Sequence, residues 1–295
     1  MELGESLALA DRFILSLLFK VHGLPRNERT EHGRKWWRTL NTRLGPGPAL
    51  TEHRGLIETF AAVRHVDRSR DRQLFLSLSA IVEDEHDGKC PALIDNSCSI
   101  YDRRPLTCRT VPLHYSRPPS SLAGYLDGFV GTPGYRCETS EAPEILKGNE
   151  ILSVEVRDAR NEALRVARSD RDWKAVLAEA MLTDASANAA GLPTFDEVVA
   201  NSDRGFASMV PILAAWRAAA HAGLMTRDTF DDLCRKQIAL AENGMEVRPE
   251  RRADLNERIR LYRTALAGRP DRVATSVDEA RQGLGEPESQ MSILR

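Results

Sequence analysis

Few of this chain's residues are of types that announce a chemistry. Of its 295 residues only five are cysteine and 6% are aromatic, and 41 basic side chains are nearly matched by 43 acidic ones. That near-cancellation leaves no global field to draw the chain to nucleic acid or to an anionic membrane, and neither is expected as a partner. The apolar run from Phe13 to Val21 contains Ser16 and Lys20 and falls far short of the ~20 residues a membrane helix needs. Glu2, Glu5 and Asp11 precede it where a secretory leader carries positive charge, and no small-residue cleavage site follows, so a cytoplasmic location is expected. There is no repeat of fixed period, no glycine-rich phosphate loop, no Gly-x-Ser-x-Gly and no His-Glu-x-x-His. Gly283-Leu-Gly285 lacks the strand and helix that would give it meaning. These absences remove the simplest nucleotide-binding, hydrolase and metalloprotease readings, while 42% hydrophobic residues supply a core and exclude general disorder.

Four of the five cysteines, Cys90, Cys98, Cys108 and Cys137, fall in one stretch that reads GKCPALIDNSCSIYDRRPLTCR and continues to GYRC. Seven, nine and 28 residues separate them in turn, so there is no Cys-x-x-Cys knuckle of a zinc ribbon and no radical-enzyme triad. In a reducing compartment such a group points to metal ligation ahead of disulfides, with separate buried thiols or a redox pair as the alternatives. Four thiolates complete either tetrahedral zinc or a 4Fe-4S cluster, and either assembly carries a charge of about minus two. Lys89, Arg103, Arg104, Arg109 and Arg136 lie close by in sequence to balance it, Arg104 and Arg109 through contacts around the ligands. Pro91 and Pro105 restrict the loop before it closes, and Ile100 and Tyr101 are placed to pack against the site.

Other candidates read more simply as structure. Asp84, Glu85, His86 and Asp87 belong to a solvated turn with Asp87-Gly88 at its tip, since consecutive residues rarely converge on one ion. Cys234 lies beside Leu233 and Ile238 on an apolar helix face and reads as a buried thiol. His114 is the one histidine placed to reach the cluster, more simply as a hydrogen-bonded neighbour than as a ligand. Trp36 and Trp37 amid Arg34, Lys35 and Arg38 fit a helix packing one indole inward better than a base-stacking platform.

Leu7, Ala10, Ile14, Leu17, Leu18 and Val21 repeat at helical spacing and predict an amphipathic helix stopping near Gly23 and Pro25. Residues 74–82 alternate with a period of two and predict a strand leading to the first cysteine. Three helices follow Cys137: one with Trp173, Val176, Leu177, Ala180 and Met181 on its face and a Ser169/Asp172 capping box; one with Phe230, Leu233, Cys234, Ile238 and Ala241, closed by Gly244; and one with Leu255, Ile259, Tyr262 and Leu266, ended by Gly268. Their stripes predict a helical bundle packing on itself or on the cysteine segment. The expected fold is mainly α with a small irregular α+β metal-binding segment and a helical C-terminal part. Its divisions are a cysteine-cluster domain with its N-terminal helix over 1–148, a helical region over 149–268, and a flexible tail over 269–295.

The run Cys90-Pro-Ala-Leu, Cys98-Ser-Ile-Tyr-Asp-Arg-Arg-Pro-Leu-Thr-Cys108-Arg, then Cys137, resembles the second half of the YkgJ-type cysteine-cluster family of zinc- or iron-chelating domains. The resemblance covers about fifty residues and implies that Cys90, Cys98, Cys108 and Cys137 are the metal ligands. The family's usual opening Cys-x-x-Cys-x-x-Cys-Cys is absent, which makes the chain either a degenerate member with one site or a product of an internal start at Met1. The expected function is binding of zinc or an iron-sulfur cluster in a structural or electron-transfer role. The wider group is similar to the flagellin lysine methylases, which implies an iron-sulfur-assisted protein-modifying enzyme as one alternative. A zinc-stapled module binding an unknown protein or peptide partner is the other. No catalytic residue is assigned, because no methyl-donor site is visible and four thiolates close the coordination shell.

Overall fold

A computed structural model describes residues 1–26, 29–44, 48–83, 90–95, 97–130 and 143–268, without the side chains of residues 32, 40–44, 48–50 and 129. Among these residues the α-helices run, in chain order, α1 Leu3–Leu9, α2 Glu31–Leu44, α3 Pro48–Phe60, α4 Leu106–Arg109, α5 Leu122–Val130, α6 Val154–Ser169, α7 Arg171–Ala180, α8 Asp184–Ala190, α9 Phe195–Asp203, α10 Leu213–His221, α11 Arg227–Val247 and α12 Arg252–Ala267. The strands are β1 Leu15–Pro25, β2 Ala61–Asp67, β3 Arg72–Val82, β4 Leu93–Ile94, β5 Ser97–Cys98, β6 Leu146–Lys147, β7 Glu150–Ile151 and β8 Ser208–Pro211. The protein is mainly helical with a small antiparallel sheet, as the expected fold class states at that level.

The four-stranded sheet has the order β2-β3-β1-β8. β1 is its backbone: Leu15 pairs with Val82 and Pro25 with Arg72 on one side, while Ser16 to Phe19 pair with Pro211 to Ser208 on the other. The expected helix over Leu7 to Val21 is therefore corrected to a short helix, α1, a turn, and a strand. Apolar residues at 14, 17, 18 and 21 suit a helical period, but Leu15 and Phe19 fill the gaps, giving the continuous apolar run of a central strand covered on both faces. A 74–82 strand is present, extended at its start to Arg72.

One large core joins the N-terminal and C-terminal parts of the chain. Leu15, Leu17 and Phe19 of β1 and Leu74, Leu76 and Leu78 of β3 pack with Trp173, Leu177, Phe195, Trp216, Phe230 and Tyr262. The C-terminal helices thus bury their stripes against the sheet, not only against one another. On the opposite sheet face, Leu24 and Phe75 meet Ile57 of α3 and Trp36 of α2, so Trp36 is the indole turned inward. Trp37 stands edge-on to it at 5.1 Å.

Two expected helix ends are also corrected. Ser169 is the last residue of α6 and its hydroxyl donates to the Val166 carbonyl; α7 instead starts from Asp170, whose carboxylate accepts from the Leu3 amide at 2.7 Å. Gly244 lies inside α11, where a Cβ would come within 3.3 Å of Leu255 Cδ1. Its smallness lets α12 approach closely, and the helix runs on to Val247. Gly268 does close α12, its amide bonded to the Thr264 carbonyl. The Asp87-Gly88 turn and the tail from Arg269 lie outside the described residues.

Candidate metal centre

Each of the three described cysteines of the cluster is held by a short local device. The Cys90 carbonyl accepts from the Leu93 amide at 2.9 Å, forming the turn that opens the segment. A two-residue hairpin pairs β4 with β5, setting Leu93 opposite Cys98, and Asp95 at its tip takes φ 49°, a left-handed conformation that aspartate tolerates better than most residues. Ser99 locks the hairpin by donating to the Ala92 carbonyl from its amide at 2.8 Å and its hydroxyl at 2.9 Å. Below it, Ala92 and Ile100 are buried on Leu9 of α1, with Cys98 partly buried against them.

Cys108 sits in the single turn of α4, which Pro105 opens: the Pro105 carbonyl accepts the Cys108 amide at 2.8 Å. The next amide at the helix start, Leu106, donates to Glu5 of α1 at 2.6 Å, while the other oxygen of the same carboxylate accepts from the Glu2 amide at 2.8 Å. An anion at a helix start satisfies donors that have no partner within the helix. Leu106 is buried with Tyr115, Ala159 and Ala163, which seats α4 on α6.

Cys90 and Cys108 are exposed, Cys98 is half-buried, and none is in a disulfide. The Cys108 thiol is pushed above its ordinary range by partial burial and by the negative charge that Cys90 would carry; the N-terminal amine opposes this, Cys98 adds to it, and Arg104 again opposes. The Cys108 sulfur is therefore within electrostatic reach of both Cys90 and Cys98. Among the described residues, however, no three His, Cys, Asp or Glu side chains stand close enough together to hold an ion. Cys137 lies outside the described residues, as do Lys89 and Arg136.

Arg104 and Arg109 are tied to the surface of α6. Arg104 donates to the Tyr101 carbonyl at 3.1 Å and reaches Glu155 at 3.4 Å, while Arg109 meets Glu162 at 3.1 Å. Of the two side chains expected to shield the site, Ile100 is buried, whereas Tyr101 is 61% exposed with the Arg104 guanidinium 3.7 Å above its ring. His114 shares a 2.8 Å hydrogen bond between Nδ1 and the Ser116 hydroxyl and stacks on Tyr115 at 4.4 Å. Cys234 is fully buried in the main core, and burial, with Asp231 nearby, pushes its thiol up to about 12. Glu5 was not legible as part of the site, because its contact with α4 spans 101 residues and no local pattern encodes it.

Residues 50–138 match the family model CxxCxxCC, described as a "putative zinc- or iron-chelating domain". The matched segment contains all four clustered cysteines and none between residues 50 and 89. No curated protein and no solved structure matches the chain. The donor set suits the family's metals: soft thiolates select zinc or iron-sulfur clusters over hard cations. No helix of the described residues is long and apolar enough to cross a membrane.

Proposed function

We propose that the protein is a metal-binding protein in which Cys90, Cys98, Cys108 and Cys137 hold one zinc ion or one 4Fe-4S cluster in a structural or electron-transfer role. The observation that carries this reading is the match of residues 50–138 to a zinc- or iron-chelating family over a segment that holds four of the chain's five cysteines. Its support in the fold is that Cys108 feels both Cys90 and Cys98 electrostatically, while all three are free thiols on short, separately anchored turns. Bound metal would offset about half of the thiolate charge and close these turns upon it. Pro105, the Glu5 contact at the start of α4 and the β4–β5 hairpin limit the freedom lost in that closure.

The test is anaerobic purification followed by a visible spectrum and counts of iron, sulfide and zinc. About four irons and four sulfides with a broad visible band mark the cluster; a colourless protein with one zinc marks the alternative. Serine at any of the four positions should empty the site. Full metal content in Cys137→Ser would remove the fourth ligand from the set.

A second reading, a zinc-stapled module that docks a protein or peptide, is favoured by one observation. Leu93, Ile94, Tyr101 and Val111, all around the thiols, are between 45% and 61% exposed. Loss of partner binding on Ile94→Asp with metal content intact would support it.

A further inference from the structure

Cations and imidazoles are carried by three neighbouring elements: the sheet face opposite the main core, helix α3 packed on that face, and the loop after α4 that is tied to α3. Lys20 and His22 stand two residues apart on β1, on the opposite face from Leu17 and Phe19, and both are exposed. The register sets Lys20 against Ser77 of β3, whose hydroxyl lies 3.4 Å from His22 Nε2. His53 comes from α3, which packs on this face through Ile57, and its Nδ1 is buried without a hydrogen-bond partner among the described residues.

The fourth contributor is the loop of residues 113–117, and it is firmly built. Arg160 of α6, 7% exposed, donates to the carbonyls of Leu113 at 2.7 Å, His114 at 2.6 Å and Arg117 at 2.8 Å. Glu52 of α3 accepts from the amide of Ser120 at 3.2 Å and from its hydroxyl at 2.7 Å, tying the following turn to the helix that carries His53. Arg117 lies 4.5 Å over the Tyr125 ring, which orients its guanidinium.

Charge in this group is one-sided. His22 keeps an exposed edge, but the atoms packed around its ring desolvate it and depress its basicity, and His53 and Lys20 depress it further; His53 is depressed by burial and then by Arg117. His114 is held down at about 4 by burial, with the N-terminal amine, Arg117, Arg160 and Lys20 adding to it. The charged groups that act most strongly on these three rings are all basic, while the nearby carboxylate of Glu52 is engaged by Ser120. Such an arrangement is least costly with an anion among the cations.

We propose that Lys20, His22, His53 and Arg117 form a binding site for a phosphate-type oxyanion, with Lys20 and Arg117 supplying charge and the imidazoles supplying N–H donors. Convergence of groups from β1, α3 and the 113–117 loop suits a dianion with several acceptor oxygens better than a single carboxylate. The site is separate from the thiol centre, and its test is independent of metal identity.

Binding of inorganic phosphate to the full chain should be measured by calorimetry in phosphate- and sulfate-free buffer at low ionic strength, with acetate as the monoanion. Saturable binding of phosphate is expected, weakened about tenfold or more in Lys20→Gln and in Arg117→Gln and unchanged in Arg260→Gln on the distant α12 surface. Metal content should be the same in all three variants, so that a failure here is distinct from failure of the metal reading. Absence of saturable binding overturns the proposal. So does an equal loss in Arg260→Gln, or acetate binding as tightly as phosphate.

Discussion

One buried ion pair links α7 to the N-terminal end of α1, the helix whose Glu5 caps α4. Lys174 of α7 is 2% exposed and pairs with Glu2, itself 3% exposed. Burial raises the Glu2 carboxyl above its usual range, with Lys174 opposing. Lys174→Met should therefore strand a buried carboxylate and cost about 3–5 kcal/mol at neutral pH by urea denaturation, much of it recovered in the double variant with Glu2→Gln. An equal loss in single and double variants would show that packing, not charge, dominates there. His114 supplies the pH dependence. Its folded value of about 4 lies below the ordinary 6.5, so the unfolded chain takes up the proton first as pH falls. The stability it supports is fully present above pH 6.5 and declines from there toward pH 4. His114→Asn should flatten the loss of unfolding free energy between pH 7.5 and 4.5, and an unchanged slope would assign that loss to other groups. Of this detail only the identity of the residues was legible beforehand. Cys90, Cys98 and Cys108 were found because thiols are rare and clustered, while Glu2, Glu5 and Lys174 looked like ordinary surface charges.

At the scale of elements, the joint between α1 and β1 is fastened from far away. Gln237 of α11 is fully buried; its amide nitrogen donates to the carbonyls of Ala10 at 2.9 Å and Phe13 at 2.8 Å, and its oxygen accepts the Leu15 amide at 3.0 Å. One side chain thus satisfies three backbone groups of the turn that separates helix from strand. Gln237→Leu keeps the volume but leaves those groups unpaired, and should cost about 3 kcal/mol or more, seen as a fall in Tm of roughly 6–12 °C. A fall of less than about 2 °C would mean that water or a rearranged turn satisfies them. This contact also explains why the Leu7 to Val21 segment reads as helix in isolation: the break at residues 10–14 is stabilised by a residue 222 or more positions away. By contrast, α11 and α12 were legible because each carries its own 3.6-residue stripe, although the inward role of Gly244 depended on the approach of Leu255.

For the whole molecule, the separation between the main core and the thiol segment sets what metal removal should do. The core of β1, β3, α7, α9, α10, α11 and α12 contains none of Cys90, Cys98 and Cys108, whereas the turns that hold them rest on small clusters with Leu9, Ala159 and Ala163. Stripping the metal should therefore speed amide hydrogen exchange across residues 90–109 and leave Leu15–Pro25 protected. Global unfolding on chelation would show that the centre staples the entire fold. The amino-acid sequence by itself determined the helical bulk of the chain, the strand that leads to the first cysteine, and the thiol segment with its zinc- or iron-chelating likeness. These rest on local periodicity and on a rare residue type, both of which survive without neighbours. Only the tertiary structure decided that the first long apolar run is the central strand of a sheet, that C-terminal helices cover that sheet, and that α3, which carries His53, packs on the face of β1 that carries Lys20 and His22. A two-sided apolar strand, a buried ion pair and a cluster of cations are all made by residues far apart in the chain, and no local pattern records which distant partner removes each group from water.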